Sequence, residues 1–285
     1  MSSPASTEAA GAATTSRAGR NLPVAVVVGL GLLALVGASL WYRKEFFAVF
    51  AVVACAAALW ELAQALLRRG IHLPLMPLVV GEVGILVSAY TAGHEALLVA
   101  FLLTVGGVVV WRVLDGGGPQ ALRDAAAAAF ATAYVPFMAG FLMLMLAAAD
   151  GAQRVALFIL LVVASDTGGY IAGVLAGKHP LAPSVSPKKT WEGLGGSLVL
   201  SSAVGVAGMV WVFETSPLVG VALGVATVVT ATLGDLAESL LKRDLGLKDM
   251  GSLLPGHGGV MDRIDAMLLA APMVYLLLLA LVPAS

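Results

Sequence analysis

The chain has 285 residues, 60% of them hydrophobic and 12% charged, with a mean hydropathy of +0.97 and a formal net charge of -1. Soluble domains carry about 25% charged residues, so this composition excludes a water-soluble globular protein and divides into apolar spans of about 20 residues. The single cysteine, Cys55, excludes a disulfide framework, a cysteine-based zinc site and a paired redox motif, and reads as a small buried hydrophobe.

Residues 1–20 are rich in Ala, Ser, Thr and Gly without apolar periodicity and are expected to form a disordered cytoplasmic tail. Nine apolar stretches follow, at roughly 22–41, 46–67, 73–91, 95–114, 125–149, 154–177, 194–213, 217–241 and 264–283. Glu82 and Asp166 interrupt the third and the sixth. Glycine and alanine are abundant in them, as close helix packing in lipid requires. The expectation is an all-α polytopic membrane protein of about nine transmembrane helices. Residues 21–123 form its N-terminal helices. Residues 124–285 form a C-terminal catalytic region with polar cytoplasmic loops at 178–193 and 242–263.

Cations fix the orientation. With a cytoplasmic N-terminus and alternating loops, the inside set is Arg17, Arg20, Arg68, Arg69, Arg112, Arg123, Lys178, Lys188, Lys189, Lys242, Arg243, Lys248 and Arg263. The outside set is Arg43, Lys44 and Arg154. Thirteen of the sixteen Lys and Arg residues thus fall on one side, which favours N-terminus inside and C-terminus outside.

Two segments depart from the membrane pattern. The first begins with Asp166-Thr-Gly-Gly in an apolar run, which suggests a broken helix lining a cavity. It continues through Lys178, His179 and Ser186-Pro-Lys188-Lys189-Thr190-Trp-Glu192. The two lysines with flanking hydroxyls offer cations and donors for phosphates; a basic cluster attracted to anionic lipid is the plainer reading, and the two are compatible. In the second segment, Asp235, Glu238, Ser239 and Lys242 share one helix face. They form either a functional polar stripe facing a cavity or simple helix-end ion pairs such as Glu238 with Lys242. Pro255-Gly-His257-Gly258-Gly259 cannot be helical and reads as a tight loop that lets backbone N–H groups approach phosphate. Asp262-Arg263-Ile-Asp265 then opens the last span, where either Asp is a cap or a ligand. If the last two helices are antiparallel neighbours, Asp235 and Asp262 approach each other, and a divalent cation such as Mg²⁺ relieves their repulsion. Glu61 and Glu82 are single intramembrane acids that pack or line a cavity, and His72 and His94 sit at span ends.

Ser239-Leu-Leu-Lys242-Arg243, Lys248-Asp249 and Leu254-Pro-Gly-His257-Gly258-Gly259-Val-Met-Asp262-Arg263-Ile-Asp265 together resemble the C-terminal signature of the phosphatidate cytidylyltransferases. The match covers 27 residues without a departure. Ser165-Asp166-Thr-Gly and Ser186-Pro-Lys188-Lys189-Thr190-Trp-Glu192-Gly also look like that family, whereas the N-terminal half resembles it only as a set of apolar spans. The resemblance implies the conversion of CTP and phosphatidate to CDP-diacylglycerol and pyrophosphate. It also implies Mg²⁺, with a second cation left open, a homodimer, and a bacterial cytoplasmic membrane with the site facing the cytoplasm. The candidate catalytic residues are Asp166, Asp235, Lys242, Asp262 and Arg263, with Asp235 and Asp262 on the metal. The candidate substrate contacts are Lys178, Ser186, Lys188, Lys189, Thr190, Glu192, Glu238, Ser239, Arg243, Lys248, Asp249, His257, Gly258, Gly259 and Asp265. Lys188 and Lys189 are assigned to either the lipid phosphate or the nucleotide. A CTP-dependent polyprenol kinase and a secondary transporter are the rival readings. No run of aspartates on adjacent helix turns supports a CDP-alcohol phosphatidyltransferase.

Overall fold

The computed structural model describes residues 22–254 and 258–282. The expected tail at 1–20 and His257 lie outside the described residues. The chain forms α1 (Leu22–Tyr42), α2 (Lys44–Leu67), α3 (Leu75–Leu114), α4 (Ala121–Thr132), a π-helical turn (Ala133–Phe137), α5 (Met138–Ala147) and α6 (Gly151–Ala176). A hairpin of β1 (Pro180–Ala182) and β2 (Ser186–Thr190) follows, then α7 (Trp191–Trp211), α8 (Pro217–Leu245) and α9 (Met261–Leu281). Among the described residues, seven helical stretches are long and apolar enough to cross a membrane, counting α4 to α5 as one. The fold is an all-α polytopic one with a single small hairpin.

The two stretches expected at 73–91 and 95–114 are both present, as the two helical halves of α3. This element is broken at Gly93, whose φ of 83° and ψ of -164° leave the helical region. The break folds α3 back on itself. Gly81 lies against Thr104, so that a Cβ at Gly81 would collide with the threonine side chain. Twenty-three residues of straight helix would hold these two about 35 Å apart. A positive φ at this reversal suits glycine, which has no Cβ to clash.

A second irregularity lies between α4 and α5. Pro136 lacks an N–H and cannot continue the α-helical bonding, and the chain widens there into the π turn. The turn buries Tyr134, Val135 and Pro136.

The core lies where α2, α5, α6 and α9 meet, around the fully buried Phe158, Leu59, Leu62, Met145 and Leu161. The C-terminal helices approach through small residues. Gly168 of α6 abuts the backbone of Gly196 on α7, and Gly205 of α7 abuts Gly220 on α8. The expected break of α6 near Asp166 is therefore corrected. The helix runs unbroken through Asp166, because Gly168 and Gly169 form a contact face for α7.

Charged residues from distant segments meet at one end of the bundle. Arg69, after α2, donates to the carbonyl of Asp244, and Arg243 Nε donates to the carbonyl of Val185. Near α2's end, the His72 N–H donates to Asp124 Oδ1 at 2.9 Å, and Asp124 pairs with Arg112 at 2.7 Å. At the other end Lys44 Nζ donates to the carbonyl of Ala148 at 2.8 Å.

Candidate active site

The hairpin is held by the first turn of the helix that follows it. Glu192 Oε2 accepts the backbone N–H groups of Lys178 and His179 at 3.1 and 3.2 Å, and its Oε1 lies 2.5 Å from His179 Nδ1. Thr190 caps α7, its hydroxyl accepting the Gly193 N–H at 3.1 Å. The consequence is a fixed path for β2, which lays Ser186, Lys188, Lys189 and Thr190 along a cavity of 330 Å³. Ser165, Asp166, Gly169 and Tyr170 of α6, Gly193, Leu194 and Ser197 of α7, and Thr232 and Asp235 of α8 complete its walls with Leu181. Lys189 Nζ bonds directly to Asp235 Oδ2 across it.

Beside this cavity, α8 and α9 build a column of carboxylates. Their backbones touch at Gly234, where a Cβ would crowd the carbonyl of Asp265. Asp235 therefore stands level with Asp265. One turn along, Lys242 Nζ bridges Glu238 Oε2 at 2.5 Å and Asp262 Oδ1 at 2.9 Å. Asp166 on α6 feels the charges of Asp235, Lys189 and Arg263. Asp235 and Asp262 thus belong to one column, with Glu238 and Asp265 between them. Each metal-assigned acid has its own lysine: Lys189 for Asp235, Lys242 for Asp262. The Glu238–Lys242 ion pair considered from the sequence is present, and it is one half of a contact that spans two helices.

The loop before α9 is anchored at several points. Leu254 and Gly258 exchange backbone hydrogen bonds at 2.9 and 3.2 Å. Asp262 Oδ2 accepts the N–H groups of Gly259 at 2.9 Å and Met250 at 3.0 Å. Asp262 is no helix cap; it grips the loop that precedes its own helix. Gly258, with φ +87°, turns beside Asp262 and Asp249. A side chain at Gly259 would strike the carboxylates of Glu61 and Asp262. Ser239 is half-buried on α8, and Lys178, Lys188, Arg243, Lys248 and Asp249 are exposed around the site's rim.

Two residues given no site role from the sequence belong to this assembly. Glu61 of α2 is buried, and it accepts the Met261 N–H at 2.9 Å and the Leu253 N–H at 3.4 Å, so it holds both sides of the glycine loop. Its only sequence signal is an acid in an apolar run. Tyr134, delivered by the π turn, is 7% exposed and its hydroxyl has no hydrogen-bond partner among the described residues. It feels the charges of Asp265, Glu238 and Asp235. The signal was Pro136 inside an apolar helix.

These residues suit a hard divalent cation. Five carboxyls, Asp166 of α6 with Asp235, Glu238, Asp262 and Asp265 of the column, outnumber the three nearby cations Lys189, Lys242 and Arg263. Among the described residues Glu238 Oε1 is buried without a hydrogen-bond partner, and a buried carboxylate oxygen left so calls for a cation or donor. Among the described residues, no three acid, histidine or cysteine side chains form a ready-made metal cage. Mg²⁺ needs none, because it takes one or two carboxylates and completes its shell with water and substrate phosphates.

A family model described as the cytidylyltransferase family matches residues 23–281. A phosphatidate cytidylyltransferase of Mycobacterium leprae is 40% identical over 279 residues, covering 93% of this chain and 89% of the relative. One from Mycobacterium tuberculosis is 38% identical, covering 94% of this chain and 85% of the relative. One from Staphylococcus aureus is 31% identical, covering 81% and 89%.

Proposed function

The chain belongs to the cytidylyltransferase family, and we propose that it is a membrane enzyme that joins CTP to phosphatidate, yielding CDP-diacylglycerol and pyrophosphate. The observation that carries this reading is the polar cavity where Lys189 meets Asp235 beside the carboxylate column, at one end of an apolar bundle. Such a site places a charged head group and a nucleotide together while the lipid tails stay among the helices.

The phosphate of phosphatidate is already ionised. Its oxygen attacks the α-phosphorus of CTP, a new P–O bond forms, and the bond to the β-phosphate breaks to release pyrophosphate. No protein nucleophile is needed, so the chain contributes positioning and charge neutralisation. Lys188 and Lys189 on β2 hold phosphate oxygens at the cavity, and Ser186 and Thr190 supply hydroxyls beside them. Lys242, Arg243, Lys248 and Arg263 lie at or around the column and bind the triphosphate. The Gly258-Gly259 backbone, fixed by Glu61 and Asp262, keeps that end of the site in shape. Asp235 and Asp262 hold Mg²⁺, which when bound neutralises phosphate charge and stabilises the leaving pyrophosphate.

The protein crosses the membrane nine times, with its N-terminus and this site in the cytoplasm and its C-terminus outside. The reversal at Gly93 and the gathering of Arg69, Arg112, Lys189, Lys242 and Arg243 at one end support this arrangement. The homodimer implied by the family resemblance belongs to the same proposal, and the mass of the detergent-solubilised protein checks it.

The test is an assay of the purified protein with labelled CTP, phosphatidate and Mg²⁺. Equal amounts of a cytidine-labelled lipid and of pyrophosphate are expected. Release of CDP with a newly phosphorylated lipid alcohol would replace this reading with a lipid kinase. No turnover by folded protein would remove it.

A further inference from the structure

A second cavity, of 280 Å³, lies within the apolar bundle and is lined by α1, α2, α5, α6 and α9. Its walls include Leu32, Phe50, Ala54, Leu142, Ile159 and Ile264, and none of its lining residues is charged. An apolar cavity of this kind stays dry and takes apolar ligands. It has room for several carbons of an apolar chain.

Its position ties it to the site. Ile264 lies between Arg263 and Asp265, and Met267, Leu268 and Ala271 carry the wall along α9 away from the carboxylate column. On α2 the wall runs from Cys55 to Phe47, on the far side of Glu61 from the glycine loop. The cavity therefore extends inward from the level of the polar site toward the opposite end of the bundle. Its α1 side includes the exposed Leu33, which leaves a way in from the bilayer.

We infer that this cavity binds one acyl chain of the lipid substrate and sets the enzyme's chain preference. The inference rests on the lipid reading above. The phosphate sits in the polar site and one tail passes Ile264 into the space between Phe50, Ala54 and Leu142. Packing contacts with the walls accumulate along the chain, so a chain that fills the cavity is held more tightly than a short one. Bulk lipid resting in the same space is the competing occupant, and it would not alter substrate choice.

Two variants test this, Ala54→Phe assayed with dioleoyl and dihexanoyl phosphatidate and Phe50→Ala with branched-chain and straight-chain phosphatidate. Ala54→Phe fills the cavity. It is expected to lower kcat/KM for the dioleoyl lipid by about tenfold or more while leaving the dihexanoyl lipid nearly unchanged. Phe50→Ala enlarges the cavity and is expected to raise relative turnover of branched-chain over straight-chain phosphatidate. Activity on the short lipid reports that Ala54→Phe is folded; if it is not, Phe50→Ala decides. Unchanged chain preference in the folded variants, with the wild type active, overturns the acyl-chain site. Absence of any CTP-dependent product from the wild type instead overturns the enzymatic reading beneath it.

Discussion

Lys242 of α8 lies 2.9 Å from Asp262 of α9 while also contacting Glu238 at 2.5 Å, so a single ammonium neutralises acids from two antiparallel helices. Glu238 and Asp262 are buried, with side chains 1% and 5% exposed. Two such carboxylates close together repel strongly unless a cation stands between them.

Replacement of Lys242 by Met removes that cation and keeps the apolar stem. It is expected to lower the thermal midpoint in detergent and to cut kcat/KM on the order of 100-fold. Adding Glu238→Gln relieves the repulsion, so the double variant should regain most of the thermal stability but not the activity. Thermal unfolding and CTP turnover measured on both variants check the two halves separately. Recovery of turnover in the double variant would assign Lys242 a purely structural role.

Glu61 reaches across from α2 to hold the backbone on both sides of the glycine loop. Glu61→Gln keeps the size but weakens a charge-assisted acceptor. The expected outcome is a KM for CTP raised about tenfold with kcat less affected, because the loop loses its fixed shape before it loses its chemistry. Steady-state kinetics with CTP varied at saturating phosphatidate measure the split. An unchanged KM would show that Asp262 alone suffices to hold the loop.

The Tyr134 hydroxyl lies near the acid column without a hydrogen-bond partner among the described residues. Removing an unsatisfied buried hydroxyl is close to neutral for the fold. Tyr134→Phe is therefore expected to match the wild type in thermal stability and to lower kcat by about tenfold, since the hydroxyl's partner arrives with substrate or ion. Wild-type turnover would reduce Tyr134 to packing around the π turn.

The apolar segments were legible because lipid demands long runs of one chemistry, and boundaries such as 154–177 and 217–241 lie close to Gly151–Ala176 and Pro217–Leu245. The two polar segments stood out for the same reason, since acids such as Asp166, Asp235 and Asp265 are costly in an apolar surrounding unless used. Local pattern failed where a residue type serves two ends. The Asp166-Thr-Gly-Gly run looked like a helix break, yet its glycines let α7 approach an intact helix. The turn in α3 was itself legible: Gly93, where the chain turns back, lies in the gap between the stretches expected at 73–91 and 95–114.

The sequence by itself determined that this chain lives in a membrane, that its chemistry gathers phosphate-binding cations and acids near the C-terminus, and which residue types do so. Only the tertiary structure decided how those acids are shared out. Asp235 faces Lys189 on the hairpin, Asp262 faces Lys242 and the glycine loop, and Glu61 arrives from a helix 200 residues away. Hydrophobic periodicity is a property of neighbours along the chain. Charge pairing across helices depends on the depth at which each helix meets the next, which close contacts such as Gly234 on Asp265 fix.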